Sequence, residues 1–181
     1  MPKFGRDPDS VKVMPGLSFV LAPTEAQAFA KDKELVELAS PGLCIEYLSE
    51  SVGVDLTRFD PQGPIPLEEV LRRTEFPPED IRKTLEPPLQ AGKTLVEFAK
   101  VYVRTPRGHN VFRGTPEQLA DMMGRWLEGG ACDGFTLQPA YMPAELEIFI
   151  DEVVPILQRR GLLRRDYEHA TLRGHLGLPL P

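Results

Sequence analysis

Residues 114–161, GTPEQLADMMGRWLEGGACDGFTLQPAYMPAELEIFIDEVVPILQRRG, read as a helix, a strand and a second helix with every boundary marked. Thr115 stands at an N-cap, Pro116 at the first helical position and Gln118 three residues after the cap, so the Thr115 and Gln118 side chains can satisfy each other's backbone amides as a capping box. Leu119, Met122, Met123, Trp126 and Leu127 then recur at helical spacing and form one apolar stripe that needs a covering layer; Trp126 reads as core. Gly129 and Gly130 end the helix, because glycine enters the left-handed region without a Cβ clash. Residues 133–138, DGFTLQ, follow as a short strand. Pro139 and Pro143 bracket a loop, and Leu146, Phe149, Ile150, Val153 and Leu157 mark a second amphipathic helix up to Gly161. Pro155 lies inside that helix, removes a backbone donor and predicts a kink.

Working outward, residues 11–21 are apolar on both parities, the pattern of a strand buried on both faces as in a parallel sheet, with Pro15-Gly16 interrupting it. Thr24 and Gln27 repeat the capping-box spacing and predict a helix over 25–39, with Ala28, Phe29, Leu35, Val36 and Leu38 as apolar positions and Lys31, Asp32, Lys33 and Glu34 exposed. From 40 to 110 the pattern weakens. Residues 44–52 suit a short helix, 67–73 a turn or two, and 94–104 a helix through Leu95, Phe98, Ala99 and Tyr102. Pro77-Pro78 and Pro87-Pro88 leave 75–90 as extended loop with at most one helical turn over 78–85. After Gly161, Leu162, Leu163, Tyr167, Leu172 and Leu176 are expected to pack over a neighbouring surface.

The length of 181 residues fits one domain or a piece of a larger one, and 41% apolar with 27% charged residues is ordinary globular composition. A net charge of −6 and a pI near 5.2 disfavour nucleic acid and anionic membrane as partners. Arg104, Arg107, His109 and Arg113 form the main basic cluster and read as a solvated loop. Cys44 and Cys132 lie far apart and in no ligand spacing, which suits reduced thiols and a cytoplasmic protein. No stretch has the ~18 apolar residues of a membrane span. His109, His169 and His175 make no HxxxH pair and neither cysteine sits in CxxC, so no metal site is expected. No phosphate-binding glycine motif or nucleophile elbow occurs. The pairs Glu68-Glu69 and Asp151-Glu152 read as solvated helix faces.

Several ordered segments carry a family resemblance: GRDPDSVKVMPGLSFVLAPTEAQA near the start, then RGHNVFRGTPEQLADMM, GACDGFTLQPAYMP, VVPILQRRGLLRRDYE and TLRGHLGLP. Together they resemble the nitrilotriacetate monooxygenase group, which also holds the dibenzothiophene-sulfone and pristinamycin-type enzymes, within the bacterial luciferase-like superfamily. The resemblance runs nearly end to end and is loosest over 41–93. It implies an α/β fold of (β/α)₈ TIM-barrel type, reduced FMN supplied by a separate flavin reductase, and oxygenation of a small organic substrate with O₂. A complete barrel needs ~250 residues, and only two good strands, 11–21 and 133–138, are readable. The expectation is therefore a partial barrel: its last two strands with their helices, and a long helical or irregular insertion at about 41–110. On that expectation Met1 is an internal methionine, or the gene is split or truncated. The segments that supply most flavin and phosphate contacts in the family are missing, so the chain alone is expected to be inactive and not to retain FMN.

Because flavin carries the hard chemistry, no catalytic side chain is singled out. Barrel enzymes place their sites at the carboxyl ends of the strands. In this sequence those ends are 19–23 and 136–141, which makes Phe19, Thr136, Gln138 and Tyr141 the candidate cofactor-binding residues. Phe19 also reads as core and Tyr141 as a loop anchor. A different class of function stays open beside the enzyme: a non-catalytic interaction protein, self-associating or paired with a missing N-terminal half through open sheet edges.

Overall fold

The computed structural model describes Gly5, Asp7, residues 10–104 and residues 109–178. In chain order, β1 (Gly16–Leu21) leads into α1 (Glu25–Leu38), α2 (Pro41–Val52), α3 (Leu67–Arg73), α4 (Pro78–Gln90) and α5 (Leu95–Arg104). Then come β2 (Asn110–Gly114), α6 (Pro116–Glu128), β3 (Thr136–Pro139), α7 (Ala144–Ile148), a π-helical turn (Phe149–Val153), α8 (Val154–Arg159) and α9 (Leu172–His175). The chain divides into two compact units, Met1–Lys31 with His109–Pro181, and Asp32–Gly108.

In the first unit the three strands form a parallel sheet in the order β2-β1-β3. The two strands expected from sequence are direct neighbours, and β2 is a third that the sequence pattern did not reveal. Side chains alternate between sheet faces. Leu17, Phe19 and Leu21 pack with Leu119, Met123, Phe149, Val153 and Leu157 from the helices, while Phe112 and Leu137 flank them at the same register. Ser18 and Val20, with Val111, Arg113, Thr136 and Gln138, therefore occupy the opposite face.

The helix ends follow the sequence closely. Thr115 accepts from the Gln118 amide at 3.2 Å and the Gln118 side chain accepts from the Thr115 amide at 2.9 Å, closing the capping box. Thr115→Ala should cost about 1 kcal/mol, seen as a lower urea midpoint at unchanged slope; an unmoved midpoint would remove the box from the list of supports. A π turn, Phe149–Val153, stands immediately before the segment with Pro155, where the sequence predicts a kink. A proline cannot donate to, and clashes with, the carbonyl four residues back; widening the preceding turn relieves both problems.

Other expectations are corrected. β1 starts only after Pro15, and β3 begins at Thr136. Asp133 is held out of the strand by its own chemistry, accepting the Val13 amide at 2.8 Å and meeting Lys12 at 3.7 Å. On α1, Phe29 and Leu38 are exposed while Asp32 is buried and Lys31 half-buried, so the buried stripe runs through Ala28, Lys31 and Asp32. Ile150 is exposed, as are Tyr167 and Leu172 in the tail, whereas Leu162 and Leu163 do pack on the core. Of the basic cluster, Arg113 lies within β2 and Arg104 pairs with Asp32 at 2.6 Å, so neither belongs to a solvated loop. His109 lies against Gly16, and Arg107 is outside the described residues.

The second unit is helical. Ile45, Leu48, Val52, Val70, Leu85 and Leu95 are among its buried core. Residues 78–90, expected as loop, are the helix α4, with Pro87 and Pro88 in its last turns. Ile81 and Leu85 are buried and Leu89 partly so, a stripe at four-residue spacing whose burial outweighs the two hydrogen bonds those prolines cannot make.

Candidate functional site

Parallel strands put their carboxyl ends on one side, and here these are Leu21, Gly114 and Pro139. The strands do not end level. Phe19 is the register partner of Pro139, and Ala140 donates to the Phe19 carbonyl at 3.2 Å, so β1 runs two residues past β3. Leu21 shares the parity of Phe19 and points its amide and carbonyl toward the side that β3 has left. Both groups are satisfied by side chains. The Leu21 amide donates to Glu145 Oε1, and Lys31 Nζ donates to the Leu21 carbonyl at 3.0 Å. Lys31 and Glu145 close the arrangement as an ion pair at 3.2 Å.

Glu145 is fully buried, one residue into α7, and its Oε2 has no hydrogen-bond donor besides this ionic contact. The Lys31 ammonium also lies 4.8 Å from the centre of the Tyr141 ring. Burial opposes the charge on Lys31, but Tyr141 and the Glu145 carboxylate more than offset it and hold the ammonium above the ordinary lysine range. Beside Lys31 opens a pocket of about 350 Å³ lined by Leu21, Pro23, Gln27, Pro116 and Glu152 among others.

The four sequence candidates are not gathered at one place. Tyr141 lies at the carboxyl end beside Lys31. Phe19 is in the helix-facing core, its ring 5.3 Å from that of Phe149. Gln138 is one residue short of the carboxyl end of β3, beside Ser18 on the face away from the helices, and Thr136 opens β3 at the amino end, level with Gly16. Placing the strand at 133–138 put Thr136 nearer the carboxyl end than it is. Lys31 and Glu145 were missed, and a signal existed for each. Glu145 precedes Phe149 by four residues, continuing the apolar stripe with a carboxylate, and Lys31 follows buried Ala28 by three. Burial pushes the Cys44 and Cys132 thiols up, which keeps them protonated and inert.

No protein-family model matches the sequence. The chain is 41% identical over 180 residues, covering 99% of its own length and 40% of the relative's, to N-acetyl-S-(2-succino)cysteine monooxygenase of Bacillus subtilis (strain 168). It is 38% identical over 184 residues, 100% of its length and 40% of the relative's, to nitrilotriacetate monooxygenase component A of Aminobacter aminovorans. Among solved structures, a riboflavin lyase with modified FMN and riboflavin superposes with a TM-score of 0.70 at 30% identity, over 97% of this chain and 37% of that one. The parallel α/β sheet and this similarity along the whole chain point to one class, the luciferase-like flavin monooxygenases, as what the chain resembles. Within it the chain is similar along its whole length to the nitrilotriacetate and dibenzothiophene-sulfone monooxygenases, in keeping with a C-terminal portion of such a protein. It spans about 40% of the length of the curated relatives it matches.

Several of the groups at this end of the sheet that could meet an FMN phosphate have partners within the chain. Such a phosphate calls for free backbone amides or cations, and part of what the helix starts at this end of the sheet could offer is already engaged within the chain. The Gln118 amide goes to Thr115, the Gln27 amide to Thr24, and Pro116 has none. Lys31 is paired with Glu145.

Proposed function

We propose that this chain is the C-terminal part of a two-component monooxygenase, cytoplasmic, that takes reduced FMN from a separate flavin reductase and oxygenates a small organic substrate with O₂. In this reading the sheet is part of a (β/α)₈ barrel, the helical stretch of about 41–110 is an insertion, and the chain alone neither retains FMN nor turns over. The proposed contacts of the assembled cofactor site are Gln138 and Tyr141; Phe19, buried in the helix-facing core, and Thr136, at the amino end of β3, lie outside it. Tyr141 is the best placed of them, since it lies at the carboxyl end. The observation that carries the reading is similarity along the whole chain to monooxygenases of which it spans about 40%.

Titrating FMN with the purified chain should leave flavin fluorescence unquenched. Co-expressing the chain with the preceding portion of the Bacillus subtilis relative should restore quenching in the pair. Micromolar binding by the chain alone would overturn the expected loss of the site; no binding by any pair would count against the flavin reading itself.

One observation favours a second reading, an interaction or self-associating protein. In the three-stranded sheet the outer edges of β2 and β3 meet no further strand among the described residues, and open edges invite pairing. A monomer by light scattering, melting cooperatively, would argue against it.

A further inference from the structure

Strand ends are ordinarily completed by more strand. At Leu21 the chain instead uses a carboxylate from α7 and an ammonium from α1, and it buries one of them completely. A buried ion pair is a poor way to gain stability, because desolvation consumes most of the attraction. Two more residues of β3 would have satisfied the same backbone groups without charge. What the side-chain solution changes is the course of the chain after Pro139: β3 ends early, and Tyr141 lies over the Lys31 ammonium at 4.8 Å.

We infer that Lys31 and Glu145 are positioning residues that hold the Tyr141 ring at the carboxyl end of the sheet, beside the pocket that Lys31 lines. The inference rests on the reading of that end as the monooxygenase site. Glu145 anchors to the Leu21 amide and fixes Lys31; Lys31 anchors to the Leu21 carbonyl and presents its charge to the face of Tyr141, an attraction that sets ring orientation. The groups facing Lys31 come from three segments: the end of β1, the loop after β3 and the start of α7. The device therefore ties together the pieces of backbone that shape this corner. Gln27 and Glu152 line the same pocket and have no bond to the Lys31 ammonium.

The test uses the chain labelled with ¹³C at the lysine ε carbons. One lysine signal should lie upfield of the others from the Tyr141 ring current, persist in Tyr141→Phe and vanish in Tyr141→Leu. Glu145→Gln should move it toward the exposed lysines. If Glu145→Gln does not fold, Lys31→Arg and Lys31→Gln replace it, read on the Tyr141 ring protons: arginine should keep their positions and glutamine release them. A lysine signal unmoved by Tyr141→Leu, or Tyr141 ring signals identical in Lys31→Gln and the parent chain, would overturn the inference. These readouts need no activity, so they stand or fall separately from the flavin reading. In a reconstituted active pair, Lys31→Gln should lower kcat/KM on the order of tenfold or more, with partial rescue by Lys31→Arg; an active pair with kcat/KM unchanged by Lys31→Gln would also overturn it.

Discussion

Phe19→Ala is expected to destabilise the folded chain by about 3–5 kcal/mol. Phe19 has no exposed surface, sits in the middle strand of the sheet, and packs 5.3 Å from Phe149 of the π turn. Its removal leaves a cavity bounded by strand on one side and helix on the other, neither of which can collapse far without breaking the ladder. The larger Trp126 should matter less. It is only half-buried and meets Phe135 at 5.9 Å on the margin of the core. Urea titrations of the two alanine variants give the comparison directly, with equal slopes required for it to be read as stability. A cost for Phe19→Ala smaller than that for Trp126→Ala would displace the centre of this unit from β1 to the outer face of α6.

The sequence reads both Trp126 and Phe19 as core, and the difference in their burial shows where pattern reading stops. The Thr115 capping box, the stripe of α6 and the glycine stop were legible because each is local: donor, acceptor and partner lie within a few residues. β2 was not legible, since five residues with one charged side chain, NVFRG, become strand only when β1 lies alongside. α4 was hidden by Pro87 and Pro88, whose local penalty is real but is outweighed by the burial of Ile81 and Leu85 in a core assembled from distant helices. The candidate site fared the same way. Tyr141 could be located from the strand that precedes it. Lys31 and Glu145 are 114 positions apart and meet only through the unequal ends of β1 and β3, which no spacing in the sequence encodes.

Lys31→Met should destabilise the chain by roughly 2–4 kcal/mol near neutral pH, below the 3–5 kcal/mol typical of breaking a buried pair, because the Lys31 side chain keeps 28% of its surface in solvent. Methionine approximates the stem, so the loss reflects the ammonium: Glu145 is left without a counter-charge and the Leu21 carbonyl without a donor. The pH dependence has a definite sign. Folding raises the Lys31 pKa, so the folded state holds this proton more tightly than the unfolded chain does. Its contribution is therefore complete below the unfolded lysine value of about 10.4 and is lost as pH climbs through the higher folded value. The gap between parent and Lys31→Met should stay level from pH 7 to about pH 10 and narrow above that. Removing both charges in Lys31→Met with Glu145→Leu should recover part of the loss, leaving only the unpaired Leu21 backbone groups to account for. Denaturant midpoints across this pH range decide the matter: a gap that widens on the alkaline side, or a double variant no more stable than Lys31→Met, would mean that Lys31 supports the fold through packing of its stem and not through the charge it presents to Glu145.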